Sequence, residues 1–441
     1  MSRVALIGEN SIEYVEILIN IWNSGDCAVL IDWRVPYDTK LEMMKEANVC
    51  KCYIEEKFAE ICEFNTYDIA FESYKSSHAI PKYLSYTIYN NYVNNYSDNE
   101  AVIIYSSGTT GKSKGVVLTH RAINLNADAI IKYMEIQDDD CIYMTKTISH
   151  LSSITGEILV ALKTKIKLVI APIFVPPRIV LNNISKYRVT IICINPSLLK
   201  MYIKEFNEKK SNYNLASLKK IFVHGAKNDK CSCISAKKAF PNISIYYEYG
   251  LSEAGPRVSS QAISSYSIDS VGKPIQGVSV KIIKENGNVA DLYETGIIHV
   301  KSPSVFIGYV IGNNKFPSLY KDWLNTGDVG YYDEYHELHI VDRIDNMIIK
   351  DAHKIYPSDI ESIMKSIHGI DECVVVTKND ALKNVQIICL YTGEKVEEKI
   401  IRKKLIKKLM SFEVPDVFVW MNDFPYTISG KIDRNNIKNS I

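Results

Sequence analysis

The densest chemistry in this chain lies in Tyr105-Ser106-Ser107-Gly108-Thr109-Thr110-Gly111-Lys112-Ser113-Lys114-Gly115, where five Ser/Thr hydroxyls and two lysines are interleaved with glycines. Glycine lets the backbone come close to a ligand and turn its N–H groups inward, while hydroxyls add donors and ammonium groups add charge. Such a loop is suited to gripping a polyphosphate. Gly111-Lys112-Ser113 resembles the end of the nucleotide-binding P-loop, but that motif requires glycine at position 106, which is serine here. An ordinary turn would explain the glycines and leave the hydroxyls and lysines without a reason.

Five later segments carry further groups: His224-Gly225-Ala226-Lys227, Tyr246-Tyr247-Glu248-Tyr249-Gly250-Leu251-Ser252-Glu253, Asn325-Thr326-Gly327-Asp328, Asp342-Arg343-Ile344-Asp345 and Pro425-Tyr426-Thr427-Ile428-Ser429-Gly430-Lys431. Each alone is unremarkable. A lone Thr-Gly-Asp is usually a turn, a lone tyrosine usually core, and a lysine near a terminus usually a solvated tail.

The elements that must position these groups follow from periodicity. Asn10 to Asn23 has apolar residues at helical spacing, with Asn10 as cap, Glu13 behind it and Gly25 as terminator. Short β-branched runs at 28–31, 101–105, 167–171, 190–194 and 220–223 alternate with helix-length segments, the pattern of an α/β fold with mostly parallel strands. From about residue 270 the texture becomes a β-rich meander (278–284, 296–301, 338–341). The tail reads helix (357–366), strand (372–377), strand (385–391), helix (396–410), a small α+β unit. The expected organisation is a large N-terminal α/β domain, residues 1–343, with a β-rich subdomain, followed by a small mobile C-terminal α+β domain, residues 344–441.

Composition narrows the function. With 441 residues and 46% hydrophobic content the chain exceeds what one core needs. Lys+Arg at 52 against Asp+Glu at 51 leaves almost no net field, which argues against nucleic acid or an anionic membrane as partner. The ten cysteines are scattered, and the close pairs Cys50/Cys52 and Cys231/Cys233 lack the companions of a zinc site, so reduced thiols in a cytoplasmic protein are expected. The apolar start is too short for a signal sequence, and no run approaches transmembrane length.

The loop at 105–115 and the five segments, taken in order, resemble the signature segments of the adenylate-forming superfamily: acyl-CoA and aryl-CoA ligases, stand-alone adenylation domains and luciferases. The match spans nearly the whole chain. It implies ATP-dependent activation of an aryl or acyl carboxylic acid to an acyl-adenylate with release of pyrophosphate, then transfer to the thiol of CoA or of a carrier protein's 4'-phosphopantetheine, with Mg²⁺ as metal. By this resemblance Ser106, Ser107, Gly108, Thr109, Thr110, Gly111 and Lys114 hold phosphates. Gly225, Ala226, Glu248, Tyr249 and Gly250 line the adenine, Tyr249 offering a flat face. Asp328 accepts both ribose hydroxyls and Arg343 donates to the same sugar. Thr110 and Glu253 serve the metal, Glu253 as the hard oxygen that Mg²⁺ prefers. Ser252, Glu253 and Lys431 are catalytic, Lys431 as the ammonium that offsets repulsion when carboxylate attacks the α-phosphate. Asp345 is the hinge, and His150 stands where acyl- and aryl-CoA ligases carry an aromatic gate to the acid pocket.

Three departures from the family pattern are expected to matter. Relatives carry some tens of residues before the counterpart of Arg3-Val4-Ala5-Leu6-Ile7. Ala352 replaces a glycine along which the pantetheine arm passes. No aspartate follows the phosphate loop in Ile148–Gly156 to hold an amino-acid ammonium, so the expected acids are aryl or small acyl first, longer fatty acids second and amino acids third. Two further alternatives are a P-loop phosphotransferase, against which Ser106 speaks, and a non-catalytic binding protein on the same fold, against which Lys431, Glu253 and Asp328 speak.

Overall fold

The computed structural model describes residues 1–59, 69–74, 83–88, 99–106, 113–209, 212–226, 230–263, 268, 270–310, 319–320, 322–350, 353–379, 385–427 and 432–440. These form two compact units. The first comprises Met1–Asn228, Ser232–Val280 and Val300–Asn325; the second comprises Asp229–Cys231, Lys281–His299 and Thr326–Ile441.

Two sheets organise the first unit. One has eight strands in the order 308–310, 114–119, 100–106, 27–30, 3–7, 51–55, 83–88, 69–74, parallel through its centre and antiparallel at both ends. The other has seven, with 167–170, 141–144, 191–194, 220–223 and 244–249 all parallel, followed by antiparallel 259–262 and 273–274. The near-continuous apolar strands of this second sheet are explained by burial of both faces. Ile192, Ile194, Ile221 and Val223 pack into one cluster, and their alternates Ile191, Cys193 and Phe222 pack into another on the opposite face.

The helix Ile12–Asn23 is capped by Ser11, whose side chain accepts from the N–H of Tyr14, and not by Asn10 as the sequence led us to expect. Asn10 has another role. Its amide Nδ2 donates to the carbonyls of Lys146 at 2.7 Å and Ala171 at 3.0 Å, and its Oδ1 accepts from Ile148 N at 2.9 Å, so it ties the loop after the first strand to loops at the end of the second sheet.

In the second unit, residues 326–332 of the strand Trp323–Tyr332 form a hairpin with Leu338–Arg343, pairing Asp328 with Arg343. Beyond it, strands Ile370–Asn379, Val385–Gly393 and Val417–Trp420 make a three-stranded sheet. Helices Pro357–Lys365 and Glu398–Leu405 cover one face through Ile360, Met364, Ile401 and Leu405. The α/β class and the α+β tail therefore agree with the sequence reading.

Candidate functional site

The phosphate-loop segment turns out to connect a β-hairpin. Ser106 ends the strand Glu100–Ser106, Lys114 begins Lys114–Thr119, and the two are register partners. The helix His120–Met134 starts only after that second strand. Among the described residues no helix N-terminus opens directly from the loop, which separates it from the strand–loop–helix geometry of P-loop enzymes. Ser107, Gly108, Thr109, Thr110 and Gly111, expected to hold phosphate and metal, lie outside the described residues.

Lys114 marks the downstream end of the loop. Its Nζ stands 5.5 Å from the centroid of the Tyr309 ring, a cation–π distance. The Tyr309 hydroxyl in turn donates to Oε1 of Glu253 at 2.8 Å. Tyr309 reaches this place because the short strand Gly308–Val310 pairs antiparallel with Lys114–Thr119, and Phe306 N donates to the Glu253 carbonyl at 2.9 Å. A chain of contacts thus runs from the lysine that closes the loop to the predicted metal carboxylate. Sequence reasoning missed Tyr309, because a three-residue strand leaves no periodic trace.

Ser252 and Glu253 lie in a single 3-10 turn, Ser252–Ala254. Gly250 precedes it for a steric reason: a Cβ there would come within 1.8 Å of the Pro256 carbonyl oxygen, so the chain can double back only over a glycine. Tyr249, at the end of its strand, is largely buried. Gly225 has φ +96° with nothing within 4 Å of its notional Cβ, which leaves an open approach beside the Gly225–Ala226 turn. That open, glycine-floored edge suits a flat nucleobase. Among the described residues no group of three or more His, Cys, Asp or Glu could hold a metal ion.

Behind these two segments the structure places a buried charged cluster that the sequence reading did not anticipate. Glu248, the residue before Tyr249, accepts from His224 Nδ1 at 3.0 Å and from the Tyr133 hydroxyl, and its Oε2 lies 2.8 Å from Arg257 Nε. Burial opposes its ionisation, but Arg257, then His224 and Tyr133, outweigh that and hold its pKa down to about 2. His224, the residue before Gly225, is driven well below the ordinary histidine range by burial and by the cations Arg257 and Lys146, so it is a neutral imidazole. With Nδ1–H given to Glu248, its Nε2 receives a hydrogen from Lys146 Nζ at 2.7 Å. No local signal marks these charges: Glu157 follows Thr155-Gly156, and Arg257 stands between Pro256 and Val258 ahead of two serines.

His150 is half-buried at the start of the turn Leu151–Ser153, its carbonyl accepting from Ser153 N at 2.9 Å. In the second unit, Arg343 Nη1 lies 3.2 Å from Asp328 Oδ1, and Arg343 Nη2 lies 3.5 Å from Asp345 Oδ2. Gly327 makes room for that guanidinium: with φ +73°, its Cβ would meet Arg343 Nη2 at 2.9 Å. Asp345 is half-exposed in the 3-10 turn Ile344–Asn346. The neighbouring Asp342 accepts from Ser358 N at 3.0 Å, fastening this turn to the helix Pro357–Lys365. Lys431 and Ala352 lie outside the described residues.

The model of the AMP-binding enzyme family matches residues 1–310, and that of the AMP-binding enzyme C-terminal domain matches 359–431, ending on Lys431. The chain belongs to the AMP-binding enzyme family. It is 26% identical to the 2-succinylbenzoate–CoA ligase of Lactococcus lactis, over 99% of this chain and 90% of that protein. It is 23% identical to the fatty acid–[acyl-carrier-protein] ligase ScoC of Streptomyces coeruleorubidus, over 99% and 86%. Among solved structures, the fold matches o-succinylbenzoate CoA synthetase MenE of Bacillus subtilis in complex with the acyl-adenylate OSB-AMP, with a TM-score of 0.82, 21% identity, and 99% and 88% of the two chains covered. It also matches the amide bond synthetase McbA of Marinactinospora thermotolerans, with a TM-score of 0.84, 19% identity, and 100% and 90% covered. No described helix is long and apolar enough to cross a membrane.

Proposed function

We propose that this chain is an AMP-forming acid–thiol ligase that activates an aryl or small acyl carboxylic acid with ATP and passes the acyl group to a pantetheine thiol, on CoA or on a carrier protein. The observation that carries the reading is the Lys114–Tyr309–Glu253 chain, which links the end of the phosphate loop to the predicted metal carboxylate. The names of the relatives support the reaction class and both thiol acceptors, since one is a CoA ligase and another loads an acyl-carrier protein.

In this reading Ser106 to Gly111 and Lys114 hold the phosphates, and Mg²⁺, when bound, offsets the charge of the departing pyrophosphate. Tyr309 positions Glu253 by one carboxylate oxygen so that the other can be presented to the metal, and Thr110 joins it there. The adenine lies along Gly225, Ala226 and Tyr249, and the ribose is read by Asp328, whose carboxylate Arg343 orients. Lys431 supplies the ammonium at the α-phosphate. Asp345 is the position about which the small domain turns between the two half-reactions. His150 shapes the acid pocket, because a carboxylate nucleophile is already deprotonated at neutral pH and needs no base. We place the protein in the cytoplasm, in keeping with the reduced, mostly buried cysteine thiols among the described residues.

The test is acid-dependent exchange of labelled pyrophosphate into ATP across a panel of carboxylic acids. Exchange that appears only when an acid is added supports the reading. Release of ADP or inorganic phosphate, or no exchange with any acid, refutes it.

A further inference from the structure

We propose that the outer face of the helix Glu398–Leu405 and of the turn that follows it binds an anionic phospholipid surface, so that the protein rests on a membrane which none of its described helices crosses. The inference is independent of which acid the enzyme activates.

The sequence of this segment already sets it apart. Six of the twelve residues 399–410 are Lys or Arg and none is Asp or Glu. The balance of 52 basic against 51 acidic residues, which argues against a membrane for the chain as a whole, conceals this local excess. Helical spacing then divides the segment into two sides. Ile401 and Leu405 pack into the core beneath the small sheet, joined by the partly buried Leu409. Lys399, Lys403 and Lys407, four residues apart, stand on the other side and are exposed, as are Lys404 and Lys408. Ile400, Ile406 and Met410 are set among them at 49%, 63% and 63% exposure. Lys399, Lys403, Ile406 and Lys407 line one open depression.

Pairing separates these lysines from others of the same unit. Lys350 pairs with Asp416 at 2.9 Å, Lys365 with Glu372 at 2.6 Å and Lys284 with Glu294 at 2.7 Å. Among the described residues the ammonium groups of Lys399, Lys403, Lys404, Lys407 and Lys408 make no ion pair. The acids that flank the segment are engaged elsewhere: Glu398 with Arg402 at 2.6 Å, Glu413 with the N–H of Met410 at 2.8 Å, and Asp416 with Lys350 and the N–H of Ile387. Arg402 is held in the fold, donating to the carbonyls of Pro415 at 3.1 Å and Asp416 at 2.9 Å.

Solvation alone accounts for the lysines but not for three large aliphatic side chains between them, since water disfavours their exposure. A protein partner fits poorly too. Protein-binding patches are depleted in Lys and enriched in Arg and aromatic residues, whereas here the one arginine is committed and the neighbouring rings of Phe412 and Phe418 are taken by His353 and Arg402. A lipid surface requires what is present. Point charges on long stems reach phosphate oxygens, and scattered aliphatic groups enter the headgroup layer, with no demand for a fixed complementary shape.

The test is co-sedimentation of the full chain with vesicles of phosphatidylcholine alone and with vesicles of an equimolar mixture of phosphatidylcholine and phosphatidylglycerol. The protein should partition to the mixed vesicles and not to phosphatidylcholine, and added salt should weaken that partitioning about tenfold or more. Lys399→Gln/Lys403→Gln/Lys407→Gln should weaken it roughly 100-fold, since each lysine near an anionic surface contributes about fivefold. Ile406→Ser/Met410→Ser should weaken it about tenfold and leave the salt dependence unchanged. These side chains are exposed and lie outside the nucleotide and acid sites proposed above. Acid-dependent pyrophosphate exchange without vesicles should therefore stay at the wild-type rate in both variants, which keeps a failure here distinct from a failure of the proposed function. A control that removes three exposed lysines of the first unit, Lys132→Gln/Lys237→Gln/Lys238→Gln, should bind as the wild type does. No preference for anionic vesicles, or a loss as large in the control as in the triple variant of the face, overturns the proposal. So does tighter binding to poly-glutamate than to the mixed vesicles at equal charge, which would mark the face as a site for an acidic protein.

Discussion

Replacing Tyr309 by phenylalanine removes one oxygen and leaves the ring beneath Lys114. The lost interaction is the hydroxyl's bond to Glu253 Oε1 at 2.8 Å. Hydrogen bonds to charged groups contribute about 1.5 to 3 kcal/mol, and because both residues are only half-buried the lower figure applies, about tenfold in rate or affinity. On the proposed function Tyr309 acts through the carboxylate that takes the metal, so the loss should appear as a Mg²⁺ requirement raised about tenfold, with exchange at saturating Mg²⁺ falling much less. Tyr309→Leu also takes away the aromatic face under Lys114, worth about 0.5 to 1 kcal/mol at an exposed site, and should add a further factor of about 2 to 5 that extra Mg²⁺ does not recover. The assay is pyrophosphate exchange titrated with Mg²⁺ at fixed ATP. If Tyr309→Phe has the wild-type Mg²⁺ curve, Tyr309 does not position Glu253, and the observation carrying the proposed function fails with it.

Three other outcomes are expected. Because burial, with the cations Arg257 and Lys146, holds the His224 pKa well below the ordinary value, unfolding takes up a proton below about pH 6.5, so stability is full above that pH and falls as pH drops, and His224→Asn should flatten this part of a melting-temperature profile. Gly250→Ala puts a methyl group 1.8 Å from a backbone oxygen that cannot yield, so the turn to Arg257 should not form and soluble, cooperatively melting protein should be lost, whereas Gly225→Ala, with open space around it, should be strained but folded. Asp345→Pro fixes φ at the proposed hinge and should impair adenylation and thioester formation unequally when each is measured alone; equal impairment would remove Asp345 as the hinge.

What the sequence made legible was local pattern. The strands at 220–223 and 296–301 were read residue for residue, because their apolar runs end in glycine or charge. The strand Lys114–Thr119 was hidden, since its first residues belong to the glycine-rich loop and the rest run straight into the helix at His120. The cap was misplaced by one residue because Asn10 and Ser11 are equally good cap types, and only a contact to Lys146, 136 positions away, engages Asn10 elsewhere. Glu248 was grouped with the adenine segment by its neighbours in the chain, yet its carboxylate is committed to Arg257, His224 and Tyr133. No short-range rule could pair these residues, because Tyr133 is 115 positions from Glu248.

Strand geometry gives that last point a wider consequence. Adjacent residues of an extended strand direct their side chains to opposite sides. At the end of the strand Ser244–Tyr249, Tyr249 and Glu248 therefore face apart, and at the end of Lys220–Val223 the backbone of Gly225 follows directly on the side chain of His224. On the proposed function the same two strand ends keep nucleotide and charge cluster apart, Tyr249 and Gly225 toward the one, Glu248 and His224 within the other. A substitution at 224 would act one residue from the proposed adenine contact at Gly225, yet its first effect would fall on the charge cluster. If the two are separated in this way, His224→Asn should change the pH dependence of stability while leaving the KM for ATP nearly unchanged; a markedly raised KM for ATP would refute the separation.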